Sequence, residues 1–171
     1  MNAGKWVIIG MFAVALLAGS SAWVHRYYQT DEVQPHWGTR RLRLIAGAPQ
    51  ITGIVRLGEG ESKRVEITRA KGIINIRHML GLDVTYDDLG TVGPPSLSPP
   101  LPWAMEFSDG SDSVVFGFSH DCRFVLDEAT AESAQLSTAA AANLRSFFDE
   151  QFPKESAAVD KSGNERTSTR N

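Results

Sequence analysis

WAMEFSDGSDSVVFGFSHDCRFVL, residues 103–126, decides the fold. Trp103, Met105 and Phe107 alternate with Ala104 and Glu106, the period of two expected of a strand with one face on a core. Asp109 and Gly110 are a hairpin signal, and residues 113–118 (SVVFGF) return antiparallel. A second tight turn at His120 and Asp121 leads into a third strand over residues 122–126 (CRFVL). The stretch therefore reads as a three-stranded meander.

Such a sheet, apolar on one face, needs a cover. The chain supplies one downstream. Residues 128–135 read as a polar connection, Ser137 is an N-cap, and residues 138–152 form a helix. Ala141, Leu144, Phe147, Phe148 and Phe152 make its apolar stripe, while Asp149 and Glu150 face water. Pro153 ends the helix. Residues 153–171 are charged and small, without an aromatic, and are expected to be a disordered tail.

Upstream, residues 50–57 and 62–68 are rich in β-branched side chains and predict two strands, with Val65 and Ile67 inward and Arg64 and Glu66 in water. The turn between them, residues 58–61, lacks the Lys and Ser/Thr of a phosphate loop and carries two acids. Residues 37–46 predict a helix with Trp37, Arg41, Leu44 and Ile45 on related faces and Arg40 and Arg43 outward. Residues 70–82 predict another, with Ile73, Ile76, Met79 and Leu80 on one side. Residues 83–88 (DVTYDD) read as an acidic loop or edge strand, because the central Gly and closing Glu of a calcium loop are missing. Residues 93–102 (GPPSLSPPLP) hold five prolines, too many for a helix or an inner strand. They read as a stiff crossover between two halves of one sheet. The alternative is a proline ligand for an aromatic groove.

Residues 6–24 (WVIIGMFAVALLAGSSAWV) run 19 positions without a charge. As a helix this is roughly 28 Å long, close to the hydrocarbon thickness of a bilayer. Trp6 at one end and Trp23, Tyr27 and Tyr28 at the other resemble interfacial belts. Ser20, Ser21 and Ala22 also fit a signal-peptidase site, so a cleaved signal peptide is the alternative to an anchor. Leu17-Ala18-Gly19-Ser20 has Ser where a lipoprotein needs Cys, which excludes that lipid anchor. Arginine and lysine near the two ends do not decide orientation, and the small-residue run favours an exported domain.

The expected organisation is a short N-terminal segment (1–5), a transmembrane helix (6–24), a connector (25–35), one α+β domain (36–152) and the tail (153–171). The fold class is α+β: a membrane helix followed by an antiparallel sheet covered by a C-terminal amphipathic helix.

Charge and chemistry narrow the function. The chain carries 17 Lys and Arg against 20 Asp and Glu, which argues against nucleic acid as a partner. The one cysteine, Cys122, allows no internal disulfide. His25, His36, His78 and His120 are scattered without metal-ligand spacing, so no metal and no cofactor are expected. Nucleotide-binding and serine-hydrolase fingerprints are absent from the sequence. The catalytic candidates are His120 and Cys122, which in a strand would point the same way. The candidate binding surface is Trp37 with Arg40, Arg41 and Arg43, and Pro99 and Pro100 with Trp103. The arginine cluster is either a solvated helix face or a contact for anionic lipid.

WGTRRLRLIAGAP, AKGIINIRHMLGLDVTYDD, WAMEFSDG and NLRSFFDEQF together resemble uncharacterised bacterial proteins that have one N-terminal hydrophobic segment and a small domain behind it. These motifs are core and turn residues, so the resemblance implies no activity and no site. The expected function is a single-pass membrane protein with an extracytoplasmic, non-catalytic binding, scaffolding or assembly module. Its expected partners are the lipid bilayer, through residues 6–24, and another membrane or envelope protein. The alternatives are an anchored or secreted Cys/His enzyme and an accessory subunit of a larger membrane complex.

Overall fold

The computed structural model describes residues 31–57, 61–89, 100–153 and 155, together with Met11 and Val14. The expected anchor (apart from those two positions), the membrane end of the connector, the turn at 58–60, Pro99 and the tail beyond Glu155 lie outside the described residues. No helix among the described residues is long and apolar enough to cross a membrane.

Among residues 31–155 the described part of the fold is α+β, with three helices and a seven-stranded antiparallel sheet. Its elements are α1 (Val33–Gly47), β1 (Gln50–Arg56), β2 (Ser62–Glu66), α2 (Ile73–Leu80), a 3-10 turn (Asp83–Thr85), β3 (Tyr86–Leu89), β4 (Trp103–Ser108), β5 (Ser113–Phe118), β6 (Phe124–Asp127), β7 (Ser133–Leu136) and α3 (Thr138–Gln151). The strand order is β2-β1-β4-β5-β6-β7-β3. The meander over β4, β5 and β6 forms the centre, in the register Trp103 opposite Phe118, Met105 opposite Phe116 and Phe118 opposite Val125.

That register places Ile51, Val55, Trp103, Phe107, Phe116, Phe118, Val125 and Leu136 on one face. All are buried, and all three helices contribute to the same core. Trp37 of α1 meets Phe116 edge-on at 5.0 Å, and Phe148 of α3 stacks on Trp103 at 4.9 Å. The Arg77 guanidinium of α2 donates from Nε to the Ile45 carbonyl at 2.6 Å, tying α2 to the C-terminal end of α1. Ser137 caps α3 by accepting from the Ala140 N–H at 3.3 Å.

Three sequence readings change. The polar connection expected over residues 128–135 contains β7, hidden because Ser133, Ala134 and Gln135 have low strand propensity. They are held in extended pairing by β6 on one side and β3 on the other. The third meander strand begins at Phe124, so His120 and Cys122 lie in the preceding turn. The first helix begins at Val33, with Val33 itself fully buried, so part of the expected connector belongs to the fold.

Two devices shape this helix. The Asp83 carboxylate accepts from the Val33 N–H at 2.8 Å and the Glu32 N–H at 3.2 Å, capping α1 from across the fold. Gly38 then interrupts the helix at φ 75°, ψ 154°, a backbone region nearly reserved for glycine. A Cβ there meets nothing within 4 Å, so Gly38→Ala isolates the backbone cost. It should lower unfolding free energy by about 1–3 kcal/mol. The measurement is a shift of the urea midpoint at unchanged slope.

The opposite face of the sheet carries Ile54, Ala104, Gly117 and Leu126, all buried. The chain leaves β3 at one edge of the sheet and re-enters at β4 in its interior, and of the expected crossover over 93–102 residues 93–99 lie outside the described residues. Leu101 lies over Gly117, where an added Cβ would approach Leu101 Cβ to 3.2 Å and Glu128 Oε1 to 2.7 Å. Arg56 holds this end down, donating to the Leu101 carbonyl at 2.5 Å and forming a two-pronged pair with Glu128 at 2.8 and 2.9 Å.

Candidate functional site

His120 and Cys122 do not assemble a thiol nucleophile. Residues 119–122 form a turn closed by the Cys122 N–H on the Ser119 carbonyl at 2.9 Å, and Cys122 sits at φ 57°. Its side chain is fully buried. Burial pushes the thiol up to about 12, against a smaller lowering by Arg145. At neutral pH it is therefore a thiol and not a thiolate. The His120 carbonyl accepts from Arg145 Nη1 at 3.0 Å, so the turn is tied to α3 through its backbone. Native protein at pH 8 should resist iodoacetamide at Cys122, and protein in concentrated urea should react fully. Mass spectrometry distinguishes the two, and rapid native alkylation would contradict the buried thiol.

The candidate surface residues separate into two groups. Trp37 and Trp103 are core residues, 1% and 0% exposed. Trp37 Nε1 donates to Tyr86 Oη at 3.2 Å, and the Tyr86 hydroxyl donates to the Leu80 carbonyl at 2.7 Å. Burial raises this phenol far above its ordinary range. Trp103 packs between the sheet and α3, with the Arg145 guanidinium 5.4 Å from the ring centroid. Its Nε1–H is buried with no hydrogen-bond partner among the described residues. Neither indole is available to a partner in this conformation.

The arginines diverge as their helical spacing implied. Arg40 and Arg43 are exposed. Arg40 grips Asp112, at the β4–β5 hairpin, through Nε on Oδ2 at 2.6 Å and Nη2 on Oδ1. That contact raises the Arg40 guanidinium and lowers the Asp112 carboxylate. Pro100 is also exposed.

Arg41 turns inward, only 15% exposed at its side chain. Its Nε lies 2.5 Å from Asp127 Oδ2, although the N–H is not aligned for a hydrogen bond. Nη1 donates to the Trp37 carbonyl at 2.9 Å and lies 2.7 Å from Glu132 Oε2, and Nη2 donates to Thr130 Oγ1 at 3.0 Å. Asp127 is 2% exposed and also accepts from the Ala129 N–H at 2.9 Å. The arginine thus pins α1 to the β6–β7 hairpin. Nothing in the local sequence marked Asp127 or Glu132 as its partners, because they lie some ninety positions away.

His36 borders this cluster, edge-on to Trp37 at 4.3 Å, with Nε2 buried and without a hydrogen-bond partner among the described residues. Burial lowers its pKa below 6.5, with Glu132 opposing and Arg41 assisting. A depressed histidine is neutral in the fold and protonates more readily once unfolded. Its contribution to stability is therefore present above the unfolded value of 6.5 and lost as pH falls from there towards the folded value. Unfolding free energy should decline between pH 7.5 and 5.5, and the decline should be shallower in His36→Gln.

Among the described residues no group of three or more His, Cys, Asp or Glu side chains is placed to hold a metal ion. What remains exposed of the candidate surface among the described residues is Pro100 and the polar face shared by α1 and the β4–β5 hairpin, with Arg40, Arg43 and Asp112. Compared with known proteins, the chain matches no family model, no curated protein and no solved structure.

Proposed function

We propose that this protein is held at a membrane by residues 6–24 and presents its α+β domain outside the cytoplasm as a non-catalytic binding or assembly module. The observation that carries the reading is the uncharged run of 19 apolar and small residues, long enough for a bilayer and flanked by aromatics. The partner is another membrane or envelope protein, because tethering confines both to a thin layer and raises their effective concentration. Arg40 and Arg43 offer it a charged contact. The competing enzyme needs a thiolate beside a base, and burial of Cys122 opposes that.

Fractionation tests the tether. The full chain should remain with membranes after alkaline carbonate extraction, and a chain lacking residues 1–24 should not. Recovery of the full chain in the carbonate supernatant would overturn the reading. Replacing residues 6–24 with an unrelated anchor separates a domain-borne interaction, which survives, from a helix-borne one, which is lost.

A further inference from the structure

We propose that the β2 edge is a contact between two copies of this chain, which join their sheets by antiparallel pairing of β2 with β2. The sheet has two ends, β2 and β3. The Ile67 N–H donates to the Ile51 carbonyl at 2.8 Å, and the Glu61 carbonyl accepts from the Leu57 N–H at 3.0 Å. Odd-numbered residues of this strand therefore turn their peptide groups towards β1. Ser62, Arg64 and Glu66 turn theirs away from it, and β2 pairs only with β1 among the described strands. Such an outward row is a template for another strand.

The side chains choose both the occupant and the register. When β2 meets its own copy antiparallel about Val65, Arg64 stands opposite Glu66 of the second copy, and Glu66 opposite its Arg64. Two opposite-charge cross-strand pairs form at once. Sliding the register by one pairing step in either direction sets Arg64 against Arg64 or Glu66 against Glu66, so like charges reject the neighbouring alignments. Arg64 is 60% exposed at its side chain, its Nη1 3.4 Å from Glu106 Oε2 on its own sheet, and in the paired sheets it exchanges this long contact for Glu66 of the second copy; Glu66 is exposed. Val65, half-buried on the helix-covered face, meets Val65 of the second copy at a pair where side chains approach most closely.

The β3 edge does not offer this. Its pairing with β7 shifts between Tyr86 and Asp88, and its exposed residues Asp87 and Asp88 are both acids. The two-fold axis of the β2 pairing stands normal to the sheet, so both helix layers and both α1 N-termini lie on one side. Two tethered copies can then share one bilayer, although the contact itself does not depend on the tether.

Sedimentation equilibrium of the full chain in detergent solution tests the proposal. Wild type should show a reversible monomer–dimer equilibrium. Arg64→Glu, which places like charges opposite each other twice, should weaken it at least about tenfold, and Glu66→Arg should do the same. The double variant R64E/E66R rebuilds both pairs with the charges exchanged and should restore the wild-type dissociation constant. That rescue separates lost pairing from lost folding. Independently, Val65→Cys should cross-link two chains on mild oxidation, since an antiparallel pair of this type brings Cα atoms within disulfide range. Asp88→Cys, on the other edge, should not. A wild type that stays monomeric, a dimer indifferent to Arg64→Glu, or a double variant no better than the singles would each overturn the proposal.

Discussion

Phe148→Ala should remove about 3–5 kcal/mol of unfolding free energy, the cost of deleting a buried aromatic and leaving part of its volume empty. Phe148 is fully buried at the centre of the helix–sheet layer. Its ring stacks on Trp103 at 4.9 Å and lies 5.7 Å from Phe118, 6.1 Å from Phe147 and 6.3 Å from Phe152. The alanine therefore unpacks β4, β5 and the last turns of α3 together. Domains of this size have a total margin of about 5–15 kcal/mol, so the variant should be close to unfolding at growth temperature. Urea unfolding followed by tryptophan fluorescence, to which the buried Trp37 and Trp103 contribute, reads the loss. Phe148→Leu, which refills part of the volume, should lose distinctly less. A loss below about 1 kcal/mol for the alanine would mean that α3 does not cover the sheet as described.

The second large effect is electrostatic. Arg41→Met should cost about 3–5 kcal/mol, because it leaves the Asp127 carboxylate buried without its counter-charge. The loss follows from the position of Asp127, 2% exposed with only the Ala129 N–H remaining among its described contacts. Replacing both partners, as in R41M/D127L, removes the stranded charge along with the pair. The double variant should recover most of the loss, less the small cost of releasing Ala129. In a double-mutant cycle the coupling should exceed about 1 kcal/mol. Additive effects would show that the 2.5 Å contact is incidental. Arg40→Met makes the surface comparison. Its grip on Asp112 is in water, so its loss should be far smaller than that of Arg41→Met.

How legible the site was depended on whether geometry came from neighbours or from distant chain. Helical spacing put Arg41 on the Trp37 face and Arg40 and Arg43 outward, because positions four apart share a face. Arg41 was also offered with them as a surface contact, and it turns inward to Asp127. The same pattern placed Trp37 with Leu44 and Ile45, and all three are buried. Offering Trp37 and Trp103 as surface contacts relied instead on residue type, and both turn inward. A large aromatic repeating in phase with apolar neighbours belongs to the core they form. His120 and Cys122 looked aligned only while a strand was assumed. A turn with Cys122 at φ 57° removed the alternation on which that alignment rested.

The amino-acid sequence alone determined the local periods: the meander over β4, β5 and β6, the hairpin of β1 and β2, and α3 with its Ser137 cap and phenylalanine stripe. Each is specified by side chains a few residues apart, which act whatever the rest of the chain does. Tertiary structure alone decided that Ser133–Leu136 is a strand, that α1 begins at Val33, and that Arg41 meets Asp127. Those outcomes come from partners supplied across the fold: the hydrogen-bonding edges of β6 and β3, the Asp83 carboxylate, and a buried acid in need of a cation. A short segment of weak propensity takes the shape that satisfies its backbone and its charge, and only the assembled sheet defines which shape that is.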